Sequence, residues 1–364
     1  MGQVLGLLVG LFGGAAGNAQ TYREYDSRVE PGPHELTWLD AYERVEIYED
    51  HELRIDGGFV EYLQMEGVSR GVIDSGQLQS ISVRDESVLQ VLRGEIGYIN
   101  ARDKSVVDLY AVEQDGSEQV LSGGEAIIRL FGGNYGRVYT WSDGGRIEVR
   151  GNAKIDYLTA HSGGVILQRN GVVAETNASS TGIVVLDDGS VTKAMVCGGR
   201  STTVIAGGYP SEEIRMFDDS TLLVLHDDRR FPGVQTLRLE DFEDDGYLWQ
   251  YAGKELSIGL DSGYQQFRIS AWKEGHGSWT GEVNLIQVEE GHHVRRLPDS
   301  NSALVFFRPE GGTVVQIEES PDMIHWNDVG DSIVGDWNIH VDVVAQGFGA
   351  RGFTRLRTYP APSE

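Results

Sequence analysis

Three adjacent carboxylate pairs, Asp187-Asp188, Asp218-Asp219 and Asp227-Asp228, are the residues best equipped for catalysis, with Gly275-His276-Gly277 standing later in the chain. Two carboxyl groups flanking a glycosidic bond suffice to hydrolyse it, one protonating the leaving oxygen while the other attacks or activates water. A second kind of chemistry belongs to Trp249, Trp272, Trp279, Trp326 and Trp337, concentrated in the C-terminal third. Aromatic faces stack on sugars, which makes Trp272, Trp279 and Trp326 candidate binding residues. Core packing competes for the same side chains, because an aromatic ring buries a large area.

Other chemistry is thinly represented. His161, His226, His276, His292, His293, His325 and His340 show no metal-ligand spacing beyond the His292-His293 pair. Neighbours on a strand point to opposite faces, so that pair does not converge on one ion. Cys197 is the only cysteine, and between Val196 and Gly198 it reads as a small packed residue rather than a nucleophile. No nucleophile elbow, phosphate loop or Cys-x-x-Cys site occurs, and no cofactor is called for.

The elements that must position these residues are written as a repeat. Its closing small or acidic pair ends at Gly58, Gly76, Gly94, Gly133, Gly151, Gly171, Gly189, Gly208 and Asp228, in steps of 18, 18, 39, 18, 20, 18, 19 and 20. The step of 39 is two units with blurred punctuation near Val112. Two, five and seven residues after the glycine come apolar or small residues: Val60, Leu63, Met65; Leu78, Ile81, Val83; Ile96, Ile99, Ala101; Val191, Ala194, Val196. The last spacing of two is strand spacing. A polar corner follows, such as Asp85-Glu-Ser87 or Asp103-Lys-Ser105, and then a second extended run such as Val88 to Leu92 or Ile183 to Leu186.

Strands this short cannot bury an apolar face alone, so the units must stack and cover one another. The expected fold is all-β: a parallel β-solenoid of about ten rungs, each of about 19 residues and spaced roughly 4.8 Å apart. A turn of that length does not fit the six-residue repeat of a left-handed β-helix, which favours the right-handed form.

This gives five segments. Residues 1–20 combine an apolar run with small residues and resemble a secretory signal peptide, although the usual positive start is missing. Residues 21–42 cap the first rung, 43–228 form the right-handed solenoid, 229–300 are a linker with antiparallel hairpins that form a small sandwich or a C-terminal cap, and 301–364 a small β-domain, so that antiparallel, β-sandwich-like modules follow the solenoid. The stretch Glu113 to Gly124 is a polar insert, read as a loop from the fourth or fifth rung and a candidate binding site. The acidic run Glu240 to Gly246 lacks the ligand spacing of a helix-loop-helix calcium site and reads as a solvated linker. A formal charge of −26 argues against binding nucleic acid or anionic membrane.

Resemblances add to this reading. The phrase Val315 to Val329, holding Ser320, Asp322 and Trp326 and closed by Phe353-Thr-Arg-Leu-Arg357, resembles a small C-terminal β-domain of large secreted bacterial proteins. The glycine-punctuated repeats resemble the solenoids and adhesin heads of exported bacterial proteins, including autotransporter-like ones. Both imply export and display at the cell surface. The carboxylate pairs and Gly275-His276-Gly277 resemble fragments of the pectin-hydrolase pattern, but His276 falls outside the repeats and the basic and Asn-Thr-Asp partners are missing. The expectation is a non-catalytic, secreted or surface-displayed structural and binding protein without a membrane span, its partner an extracellular polysaccharide or cell-surface component. The alternative is a carbohydrate-active enzyme, a lyase or hydrolase, or a carbohydrate-binding module.

Overall fold

The computed structural model describes residues 23–361 apart from 29–33, 38–40, 115–116, 142–143, 231, 239–240, 245–247, 252–255, 261–262, 273–278, 289–290, 297–301, 321–322, 336–337 and 346–352. The signal-like residues 1–20, His276, Asp322 and Trp337 therefore lie outside the described residues.

The chain winds into a β-solenoid of about ten turns with parallel strands. One stack of strands runs through Gln77–Val83, Gly94–Ala101, Gly133–Thr140, Lys154–Ala160 and Val172–Ala178, each paired in parallel with the corresponding strand of neighbouring turns. A second stack runs through Val88–Val91, Val106–Leu109, Ile127–Leu130, Arg146–Val149, Val165–Gln168 and Ile183–Leu186. Register makes columns: Leu63, Ile81, Ile99, Val120 and Val138 stand one above another, all 0% exposed. Each such side chain contributes about 1.5–3 kcal/mol on burial, but only because the turns above and below cover it.

The polar corners are built by a device that joins turns. Asp85 and Asp103 both adopt positive φ, 56° and 60°. From there the Asp85 carboxylate accepts the Gly67 N–H at 2.9 Å, and Asp218 accepts the Gly199 N–H at 2.9 Å one turn earlier. Ser69 and Ser87, fully buried behind the corner, hydrogen-bond to each other at 3.0 Å. At the opposite bend Gly133 has φ 102°, and a Cβ there would stand 2.2 Å from the Val112 carbonyl oxygen.

Val112 fills the place where the glycine period blurs: it pairs with Gly94 on one side and Gly133 on the other. The polar insert is narrower than its composition suggests, since Gln119–Ser122 is a strand in register with Tyr98–Ala101. A second difference lies after Gly189. A bulge opposite Val173 and Glu175 turns Met195 and Cys197 into the core in place of Ala194 and Val196. An extra residue in one strand shifts every following side chain to the other face.

Parallel pairing extends beyond the regular repeat at both ends. Arg23–Asp26 pairs with Ala41–Ile47, and His34–Thr37 with the first part of Glu52–Met65. Gly263–Trp272 lies parallel to Glu213–Met216, and Glu282–Gln287 to Thr221–His226, so two strands expected as hairpin arms close the stack. Antiparallel strands then cover that end: Val234–Leu237 on Glu282–Gln287, and Leu248–Tyr251 and Leu256–Leu260 on Gly263–Trp272. Covering an open strand edge prevents pairing with another chain. Within the acidic run, Phe242–Asp244 is itself a strand against Leu248–Tyr251.

Two three-stranded antiparallel sheets complete the chain, one of Gly291–Arg296, Ser302–Arg308 and His340–Ala345, the other of Asn327–Val334, Thr313–Ser320 and Phe353–Pro360. The first lies on the outside of the solenoid. Val165, Leu167, Ile183, Val185, Val204, Leu223 and Leu225 turn outward there and pack against Leu304, Phe306, Val341 and Val343. Val305 and Phe307, on its other face, meet Val315 and Ile317 of the second sheet. Among the described residues no helix is long and apolar enough to cross a membrane.

Candidate functional sites

The predicted carboxylate pairs do not converge. Asp218 binds the Gly199 N–H at the corner, and Asp219 accepts the Thr280 hydroxyl. Asp227 pairs with Arg308 at 3.1 Å and Asp228 with Arg230 at 2.7 Å. Asp188 accepts the N–H of Gly189 at 2.7 Å. Asp187 and Asp188 both line a cavity, of about 470 Å³, where the C-terminal sheet meets the solenoid beside Arg169, Asn338 and His340.

That junction is held by charge. Arg146 donates to Asp342 and to the Val343 carbonyl, both at 2.9 Å, and Arg169 reaches the other Asp342 oxygen at 3.1 Å. Glu148 takes Arg146 and Arg150 at 2.6 Å each. Burial works to raise the Glu148 carboxyl, but Arg146, Arg150 and Arg169 outweigh it and hold it at about 2. Asp187 goes the other way. Burial pushes it up to about 7, with Asp342 and Asp188 adding to the rise and His340 and Arg169 opposing it. A carboxyl so displaced in a cleft is what acid–base chemistry requires. Here the neighbouring arginines are already spent on Asp342 and Glu148, and a docked sheet forms one wall.

The insert, in contrast, borders an open groove of about 580 Å³ on the first strand face. Its floor comes from successive turns: Phe59, Gln77 and Glu95 stand in one column, Tyr98 and Gln119 in the next. Ser117, Glu118 and Gln119 form its rim. Gln77 donates to Glu95 at 2.8 Å, and Gln114 ties the loop down by donating to the Gly97 carbonyl at 2.9 Å. Outward positions of a strand alternate with the core positions, so one register supplies both the column inside and the groove outside.

The tryptophans fare differently. Trp279 is 1% exposed, its indole N–H donates to the Ser220 carbonyl at 3.1 Å, and its ring meets Phe242 edge-on at 5.0 Å. Both of its faces belong to the core. Trp326 is half-buried, donates to the Met323 carbonyl at 3.2 Å, and carries the Arg355 guanidinium over its ring at 3.9 Å. Trp272 ends the strand Gly263–Trp272, and its side chain lies outside the described residues. The three are not brought together: Trp279 packs at the end of the solenoid and Trp326 on the last sheet. Cys197 is buried, accompanied by Thr203 at 3.0 Å, and burial pushes its thiol up to about 12, which removes it as a nucleophile.

Sequence reasoning found the insert but not its floor. Phe59, Gln77, Gln79 and Tyr98 occupy unremarkable outward positions, and only the register between turns unites them. Among the described residues no three His, Cys, Asp or Glu side chains form a metal-binding group. No family model matches the chain, and neither the curated proteins nor the solved structures include a significant match.

Proposed function

We propose that this chain is a non-catalytic scaffold, exported and displayed outside the cell, that binds an extracellular polymer through the side of its solenoid. The observation that supports it most is the dispersal of the carboxylate pairs: Asp218, Asp219, Asp227 and Asp228 are held by a corner N–H, the Thr280 hydroxyl or an arginine, which leaves Asp187 and Asp188 at the cavity. An enzyme on this scaffold would gather several acids and a base in one accessible groove. The signal-like residues 1–20 support placement outside the cell.

One feature supports a second reading, a carbohydrate-active enzyme: Asp187 is poised near neutrality beside a cavity holding Arg169 and His340. Incubating the purified protein with a panel of plant and microbial polysaccharides separates the two. The scaffold reading expects polymers retained with no new reducing ends and no unsaturated products. Product release that disappears in Asp187→Asn would install the second reading instead.

A further inference from the structure

Resting on the scaffold reading, we propose that the groove bordered by Ser117, Glu118 and Gln119 binds an uncharged, hydroxyl-rich glycan chain lying along the solenoid axis. A pyranose ring presents an apolar C–H face and a rim of hydroxyls that both donate and accept. The groove answers both: Phe59 and Tyr98 supply ring faces, Gln77, Gln79 and Gln119 supply groups that donate and accept, and Glu95 and Glu118 accept.

Spacing along the axis supports an extended chain. Tyr98 of the groove shares a column with Ser80 and, two turns away and just beyond the groove, with Tyr62, whose ring carries the Arg44 guanidinium at 5.1 Å. Strands of neighbouring turns lie about 4.8 Å apart, so the two tyrosines stand ~10 Å apart. That is close to the length of two pyranose units in an extended β-linked chain, and small Ser80 leaves room between the rings. Parallel stacking produces this match without special geometry, because every turn sets its outward residues in the same place.

Charge selects against the commoner anionic polymers. Among the described residues that line the groove, Glu95 and Glu118 are charged and none is Lys, Arg or His; Arg44 lies over the Tyr62 ring just beyond it, and the chain carries −26 overall. A polyuronate or sulfated chain would meet repulsion at both ranges.

Affinity electrophoresis of the full chain through gels containing hydroxyethylcellulose, mixed-linkage β-glucan or xyloglucan tests this, with polygalacturonate and dextran sulfate as anionic comparators. Retardation is expected with at least one uncharged β-linked glycan and with neither polyanion. Tyr98→Ala and the double variant Gln77→Ala/Gln79→Ala should each weaken it tenfold or more, Tyr98→Phe should keep most of it, and Tyr157→Ala, three turns away on the same face, should leave it unchanged. Thermal melts of each variant separate a lost contact from a lost fold. Retardation only by polyanions, by nothing, or to the same extent in Tyr98→Ala overturns the inference. Polyanion binding, or glycan binding indifferent to Tyr98→Ala, leaves the scaffold reading standing, whereas release of cleaved products removes that reading itself.

Discussion

Replacing Asp187 with Asn should stabilise the protein above neutral pH and do little in acid. In the folded chain the carboxyl is pushed from an ordinary 3.8 up to about 7, so between those values the native state holds a proton that the unfolded chain has released. Stability attributable to this group is therefore greatest below about pH 4 and falls as pH rises to about 7, where the full cost is reached. A displacement of that size corresponds to about 4 kcal/mol, and solvent on the side of Asp187 open to the cavity reduces it to about half, ~2 kcal/mol. Asn keeps the shape and has no charge to lose. Urea unfolding followed by tryptophan fluorescence at pH 4 and pH 8 would measure the difference. Asp187→Asn should exceed wild type by about 2 kcal/mol at pH 8 and match it closely at pH 4. An equal effect at both pH values, or destabilisation at pH 8, would refute the burial of an unpaired acid beneath the sheet.

Glu319 should behave in the same direction, since burial alone pushes it up to about 7, and Glu319→Gln should also gain stability at pH 8 in the same urea titration. Asp342→Ala removes the carboxylate that Arg146 and Arg169 share, leaving Arg146 with Glu148 and the Val343 carbonyl, and should cost about 3 kcal/mol, seen as faster proteolytic release of the C-terminal sheets from an intact solenoid. Gly133→Ala combines a positive φ with a Cβ 2.2 Å from the Val112 oxygen, whereas Gly233→Ala, at φ 71°, meets nothing within 4 Å. Thermal melts should show the first costing well over the ~1–2 kcal/mol that left-handed backbone alone charges the second. Trp279→Ala should cost about 3–5 kcal/mol in a urea melt while Trp326→Ala stays within about 1 kcal/mol, as a core ring and a partly exposed one should.

The solenoid was legible because its signals are local. A glycine every 18 to 20 residues, with apolar residues at fixed offsets behind it, states both the turn and the inward face of each strand. Irregular spacing hid two details. Val112 took a glycine's place, and Lys193 and its neighbours carried an extra residue, which moved Met195 and Cys197 inward. The docked sheet left a signal that pattern reading passed over: Ile183-Val-Val-Leu186 and Thr221-Leu-Leu-Val-Leu225 are apolar on both faces, as strands covered on both sides are. Asp342, Arg146 and Arg169 could not be paired from the sequence, since nearly 200 residues separate the first two. The groove was half visible. Its rim showed as a polar interruption of the repeat, but its floor is an alignment of residues 18 apart that no motif describes.

Hydrogen–deuterium exchange of the full chain with and without a retained uncharged β-glycan tests most directly where the polymer sits. Slower exchange on saturation is predicted in peptides covering 114–118 and the flanking strands Gly94–Ala101 and Gln119–Ser122, with 323–326 and the His340–Ala345 strand unchanged. Protection confined to the Trp326 turn or to the junction beside Asp187, with 114–118 exchanging as before, would contradict a ligand held along the side of the stack.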